Sequence, residues 1–302
     1  MPKLKQCVPD WCAFRPGMDA AAYYAAVKSI GFSGVEMVDP SRWAAARAAG
    51  LEIVTMTAPG MTKGLNRREH HAELVPQIQD VIAQAAAENI PNVIVFSGNR
   101  DGQDDREGLA NCRLALEGLA DFAGRQGSRD AGVPPACGEG ILPSPSAVPN
   151  DLSSSGGLAN GTHNAGGTPA PRSVTLLFEM LCAQDHVDYQ ADRSAYGFEL
   201  AKQVHSPHLR VLYDLYHMHK MGEDLCGDLT KNAALIAHLH TANAPKRDCI
   251  AEHGQPDYRP LVACAQRVGY TGYWGQEFVC GPEPLVELKR AFDLLESFWR
   301  NA

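Results

Sequence analysis

Four side chains of metal-ligand type close four successive apolar runs in the second half of the chain. Leu176-Leu177-Phe178 ends in Glu179, and Val211-Leu212-Tyr213 ends in Asp214 with His217 one helical turn on. The run from Ile236 to Leu239 contains His238 and leads to His240, and Tyr273-Trp274-Gly275-Gln276 ends in Glu277. The separations are 35, 26 and 37 residues, each about one strand-plus-helix unit of an α/β barrel. Side by side around one mouth, two Glu, one Asp and one His would suit a single divalent cation, Mn²⁺, Mg²⁺ or Co²⁺. A structural zinc site draws instead on Cys and His in short spacings, and no C-x2-C pair occurs. One acidic residue at a strand end is more often a helix cap or half of an ion pair; the repetition is what points to a metal. His238 and His240 share one strand face. Only His240 stands at the strand end, so His238 is expected to be a hydrogen-bonded interior residue.

Such a cluster needs strands that finish next to one another. The chain supplies them by alternating short apolar runs with longer amphipathic stretches, the pattern of βα units around a parallel sheet. The spacing predicts strands over 5–8, 34–38, 52–57, 92–96, 174–178, 210–213, 236–240 and 272–276. Helices are predicted over 19–30, 41–49, 67–88, 106–124, 193–204, 225–236, 259–268 and 283–300. Asp19 and Ser41 are the expected N-caps, with Gly31 and Gly50 as stops. Eight strands, each followed by a helix, make a (β/α)8 TIM barrel, a single domain over residues 1–302, with catalytic groups at the C-terminal strand ends. One segment breaks the pattern. Residues 126–173 hold 9 Gly, 7 Pro and 7 Ser and no aromatic residue. Such a composition buries too little apolar surface to offset its ordering entropy. It is expected to be a flexible insertion between the fourth helix and the fifth strand, at the end of the barrel away from the chemistry.

Composition excludes several classes. With 45% apolar residues in 302 the chain can build a sizeable core. Its net charge of −8 opposes a broad phosphate-binding surface, so no nucleic-acid partner is expected. No apolar run reaches the 18 or so residues of a membrane span, and the first residues do not read as a secretion signal. Nine cysteines, an odd number, read as reduced thiols in a cytoplasmic protein. The partner expected is a small-molecule substrate, with a homo-oligomer left open by the sequence.

The four strand ends also resemble a known family. Leu176 to Glu179, Leu212-Tyr213-Asp214-Leu215-Tyr216-His217-Met218, His238-Leu239-His240-Thr241-Ala242-Asn243 and Gly272-Tyr273-Trp274-Gly275-Gln276-Glu277-Phe278 are similar to the last four strand motifs of hydroxypyruvate isomerases. Those enzymes belong to the xylose-isomerase-like barrel superfamily, with inosose dehydratases, ketose 3-epimerases and endonuclease IV. Gly31-Phe32-Ser33-Gly34-Val35-Glu36 and Val95-Phe96-Ser97-Gly98-Asn99-Arg100 are compatible with its second and fourth strands. The resemblance implies that Glu179, Asp214, His240 and Glu277 bind one metal ion, with Glu179 and Glu277 as the acid/base pair. It implies that His217 meets a substrate oxygen, that Asp185 hydrogen-bonds the substrate, and that Lys246 or Arg247 holds a carboxylate. Arg247 is favoured there for its bidentate geometry. Three departures touch the pocket rim. The family's Glu-Pro-Ile-Asn is Glu179-Met180-Leu181-Cys182, a frequent Gln is His240, and Gly-Glu-Ile-Asn-Tyr is Gly254-Gln255-Pro256-Asp257-Tyr258.

The chemistry implied is the movement of a carbonyl along a small hydroxy-oxo acid, hydroxypyruvate to tartronate semialdehyde. A carboxylate removes a proton from one carbon, a second returns one to its neighbour, and a cation stabilises the enediolate charge between those steps. A ketose 3-epimerase or an inosose or dehydroshikimate-type dehydratase on the same scaffold is the alternative reading. A non-catalytic sugar-binding barrel and an abasic-site endonuclease are remoter ones, the latter opposed by the acidic charge balance.

Overall fold

The computed structural model describes residues 3–127 and 173–302. Nine strands follow one another: β1 (Lys5–Pro9), β2 (Gly34–Glu36), β3 (Glu52–Ile53), β4 (Thr55–Thr57), β5 (Asn92–Val95), β6 (Thr175–Glu179), β7 (Leu209–Asp214), β8 (Ile236–Thr241) and β9 (Tyr273–Gln276). They form one sheet in the order β3-β2-β1-β9-β8-β7-β6-β5-β4, and every pairing is parallel. The third predicted strand is split at Val54, with β3 pairing to β2 and β4 to β5. The gap is bridged by Val54 N donating to Val35 O at 2.8 Å and Met37 N to Thr55 O at 3.0 Å. The sheet therefore curls into a (β/α)8 TIM barrel. Strands covered on both faces need near-continuous apolar sequence, as in β6, where the last four residues are all buried.

The helices are α1 (Asp10–Ala13), α2 (Ala20–Ile30), α3 (Trp43–Ala48), α4 (Arg68–Ala87), α5 (Asp105–Gln126), α6 (Ser194–Val204), α7 (Leu215–Lys220), α8 (Leu225–Asn232), α9 (Tyr258–Arg267) and α10 (Pro284–Asn301). Asp19 caps α2 as expected, accepting from Ala22 N at 2.7 Å. Gly31 ends it with φ of +127°, and a Cβ there would lie 2.5 Å from the Phe292 ring on α10. Both observations require glycine. Ser41 is not a helix cap. Asp39 accepts from Ser41 N at 3.0 Å and opens a 3-10 turn, Pro40–Arg42, that runs into α3. The predicted helix over 225–236 stops as an α-helix at Asn232, and a 3-10 turn, Ala233–Leu235, leads into β8.

Most of the expected insertion, 126–173, lies outside the described residues, over 128–172. Its flanks are described: a Cβ on Gly127 would lie 2.7 Å from Ser173 N, so the two edges meet. They meet before β6 begins, at the opposite end of that strand from Glu179. The eight cysteines among the described residues are unpaired thiols. No helix of the described residues is long and apolar enough to cross a membrane.

Candidate metal centre

Glu179 is the last residue of β6, Asp214 the last of β7, His240 the penultimate residue of β8, and Glu277 follows β9 directly. Parallel register brings them together: Asp214 pairs with His240 and His240 with Gly275. All four are buried, and one ligand atom from each lies within 4.8 Å of every other. His240 Nδ1 is 2.9 Å from Glu277 Oε2 and 3.7 Å from Glu179 Oε1. No well-aligned hydrogen bond joins it to either among the described residues, and against the effect of burial the carboxylates of Glu277 and Glu36 raise the His240 pKa well above its ordinary value. A buried imidazole nitrogen without a hydrogen bond, facing carboxylate oxygens, fits a metal ligand. The donor set, three carboxylates and one imidazole, fits a hard or borderline divalent cation.

The electrostatics agree with that fit. Burial pushes the Glu179 carboxyl up, and Glu277 adds to the rise against the pull of His240. Burial also raises Asp214, with Arg247 opposing and Glu277 reinforcing. At Glu277 burial is outweighed by His240 and Arg247, which hold it well below the ordinary carboxylate range. Three acids so close cannot all ionise cheaply without positive charge between them.

Arg247 supplies part of that charge. It sits in the loop after β8 with φ of +55°. Its guanidinium donates to Glu277 Oε2, to Asp214 Oδ2 at 3.4 Å and to the Glu277 carbonyl at 3.3 Å. It also lies over the rings of Tyr216 and Trp11, at 5.2 and 5.6 Å from their centroids. A guanidinium only donates, so His217 Nε2, 3.0 Å from Arg247, is an acceptor. Burial, then Arg247, pushes the His217 pKa well down, so this imidazole is neutral. Its Nδ1 faces Cys182 Sγ at 3.1 Å, and burial lifts that thiol to about 11.

The remaining expected residues stand further out. Asp185 is exposed and accepts from Lys220 and from Tyr216 OH, the latter at 2.7 Å. Burial alone would raise its pKa, but those two donors bring it to about 2. Lys246 is exposed in the Arg247 loop and makes no ion pair among the described residues.

Two features have no counterpart in the sequence reading. The first is α7, which starts on the Asp214 carboxylate: Oδ1 accepts from Tyr216 N at 2.8 Å and His217 N at 3.2 Å. The second is Glu36, the last residue of β2 and fully buried. Its Oε2 lies 3.2 Å from His240 Nε2 and 3.0 Å from His238 Nε2, and accepts from Thr55 Oγ1 at 3.2 Å. Its Oε1 accepts from Cys7 Sγ at 2.9 Å. The available signal was an acidic residue closing the short run Gly34-Val35, the same pattern as the four strand ends of the second half.

Comparison with known proteins follows the same lines. A family described as the xylose isomerase-like TIM barrel matches residues 24–298. The 2-oxo-tetronate isomerase of Cupriavidus necator is 29% identical over 114 residues, 38% of this chain and 44% of that protein. The hydroxypyruvate isomerase of Escherichia coli is 28% identical over 105 residues, 35% of this chain and 40% of that one. Each match therefore spans less than half of the relative's length. Among solved structures, the IOLI protein with a bound zinc atom superposes with a TM-score of 0.65 at 11% identity, covering 99% of this chain and 97% of its own.

Proposed function

The chain belongs to the xylose isomerase-like TIM barrel family, and from that premise we propose that it is a metal-dependent isomerase of a small 2-oxo hydroxy acid. The observation that carries this reading is the convergence of Glu179, Asp214, His240 and Glu277 on one point. The relatives' names, hydroxypyruvate isomerase and 2-oxo-tetronate isomerase, support the substrate class: both are short acids with a carbonyl beside a hydroxylated carbon.

Glu179, Asp214, His240 and Glu277 would hold the ion, Mn²⁺, Mg²⁺ or Co²⁺. When bound, the cation supplies Lewis-acid stabilisation of the negative charge that develops on the substrate oxygens. The chain's own residues do the rest. One of Glu179 and Glu277 takes the proton from the hydroxylated carbon; that C–H electron pair becomes the carbon–carbon double bond of the enediolate while the carbonyl π pair moves onto its oxygen, which takes up the proton that the hydroxyl gives up. The other delivers a proton to the neighbouring carbon, which leaves the carbonyl displaced by one position. Arg247, permanently charged and forked, holds the substrate carboxylate. Neutral His217 offers a nitrogen to a substrate oxygen, and Asp185 accepts from a hydroxyl at the rim.

The test is turnover of hydroxypyruvate and of 2-oxo-tetronate by the metal-loaded protein, followed by NMR in D₂O. Isomerisation labels the carbon that becomes C–H. Label confined to a ketose C3, or loss of water, would assign the chain to epimerases or dehydratases instead. No turnover of any oxo acid with any of the three ions would overturn the reading.

A further inference from the structure

Resting on the metal-centre reading, we propose that Glu36 is a positioning residue which decides the nitrogen that His240 presents to the cation. Glu36 and His240 are 204 residues apart and meet because the sheet curls, bringing β2 close to β8 over the intervening β1 and β9. A metal-bound imidazole gives its lone pair through one nitrogen and keeps its proton on the other. With Glu36 Oε2 3.2 Å from Nε2, the ring's proton belongs on Nε2 and its lone pair on Nδ1. Nδ1 is the atom that faces Glu277 and Glu179. A carboxylate behind a ligating histidine also makes the imidazole a better electron donor.

The surroundings of Glu36 suit this task. Cys7 Sγ donates to Oε1, Thr55 Oγ1 donates to Oε2, and the His238 ring packs against the His240 ring with centroids 5.0 Å apart. The Cys7 thiol and the Thr55 hydroxyl hold the carboxylate without reaching the cluster itself. Gly275 gives a second, independent observation. A Cβ at that position would lie 2.4 Å from Glu36 Oε1 and 2.6 Å from His240 Cδ2. β9, one of the two strands between the partners, must therefore be bare there for the contact to form.

The experiment has two arms. Mn²⁺ is titrated calorimetrically into the metal-free protein, wild type, Glu36→Gln and Glu36→Leu. The expected result is a roughly 10-fold weaker Kd for Gln and about 100-fold for Leu, with kcat recovering as Mn²⁺ is raised to saturation. A group that only supported the fold would lower the urea stability of the metal-free protein and leave the Mn²⁺ Kd of the folded protein unchanged. The second arm needs no variant: ¹⁵N-histidine-labelled wild type is loaded with ¹¹³Cd²⁺. Coupling to His240 Nδ1, with Nε2 protonated, is expected. Cadmium on Nε2, or folded variants that bind Mn²⁺ as wild type does, would overturn the role of Glu36 while leaving the metal centre standing. A wild type that binds no divalent ion would remove the metal centre, and this inference with it.

Discussion

Asp10 follows β1 and Glu277 follows β9, so the two carboxylates stand on paired strands at one end of the barrel, and both are buried. Asp10 has a full set of partners. Arg42 reaches Oδ2 through Nε at 3.0 Å and a terminal nitrogen at 2.6 Å, and Tyr24 OH donates to Oδ1 at 2.9 Å. One anion meets one cation, and nothing is left over. Glu277 shares a single guanidinium with Asp214, and Glu179 adds a third acid whose one ion-pair partner among the described residues is His240, which lies nearer to Glu277. Burial is common to both regions. They differ in the balance of charge, and the surplus of anionic oxygen is what a dication would complete.

Several substitutions should pull the two regions apart. Glu179→Gln or Glu277→Gln should lower turnover of the oxo acid by about 10³-fold or more in protein that stays folded, because proton transfer itself is removed. Steady-state assays beside a metal analysis check this, and near-normal turnover in either variant would contradict the assignment. Arg42→Ala should do the reverse. It should cost about 2–3 kcal/mol of stability by leaving Asp10 buried without its cation, less than for a fully enclosed pair because Arg42 is partly exposed. Urea unfolding measures it, and Mn²⁺ affinity should be unchanged.

Arg247→Ala should raise KM for the acid by about 10–100-fold, the worth of a charged hydrogen-bonding pair. It should not weaken Mn²⁺ binding, since Arg247 and the ion draw on the same oxygens of Asp214 and Glu277. Loss of metal binding would show that the guanidinium holds the ligands in place instead. The smallest effect concerns pH. Burial raises the Glu179 and Asp214 carboxyls, and a metal needs both as anions. Mn²⁺ affinity, followed by calorimetry, should therefore weaken on acidification, by at most about tenfold per pH unit for each proton displaced. A flat profile from neutral pH down to the ordinary carboxylate range would mean that neither group exchanges a proton for the ion.

Much of this was legible beforehand, and the exceptions have physical causes. Glu179, Asp214, His240 and Glu277 could be found because each ends an apolar run and the runs recur at the βα spacing. Glu36 ends a run too, but β2 contributes only three residues and a lone acid carries little signal. The Asp214 carboxylate also starts α7, a six-residue helix too short to show a period in the sequence. Nothing local shows that the Arg247 guanidinium lies against the Asp214 and Glu277 carboxylates, held by a backbone turn with positive φ that side-chain chemistry does not announce. The break at Val54 reflects ring closure, which no local pattern records.

Periodicity and residue type alone determined that this chain forms alternating strands and helices, and which carboxylates and imidazole come at strand ends. Those are local properties, set by backbone preference and by the burial of every apolar side chain in a run. Which atoms meet was decided by the closed barrel. Register set Asp214 beside His240, and closure set Glu36 behind it and Arg247 in front. Distances between residues far apart in the chain depend on strand pairing and curvature, quantities shared by the whole ring and written in no single segment.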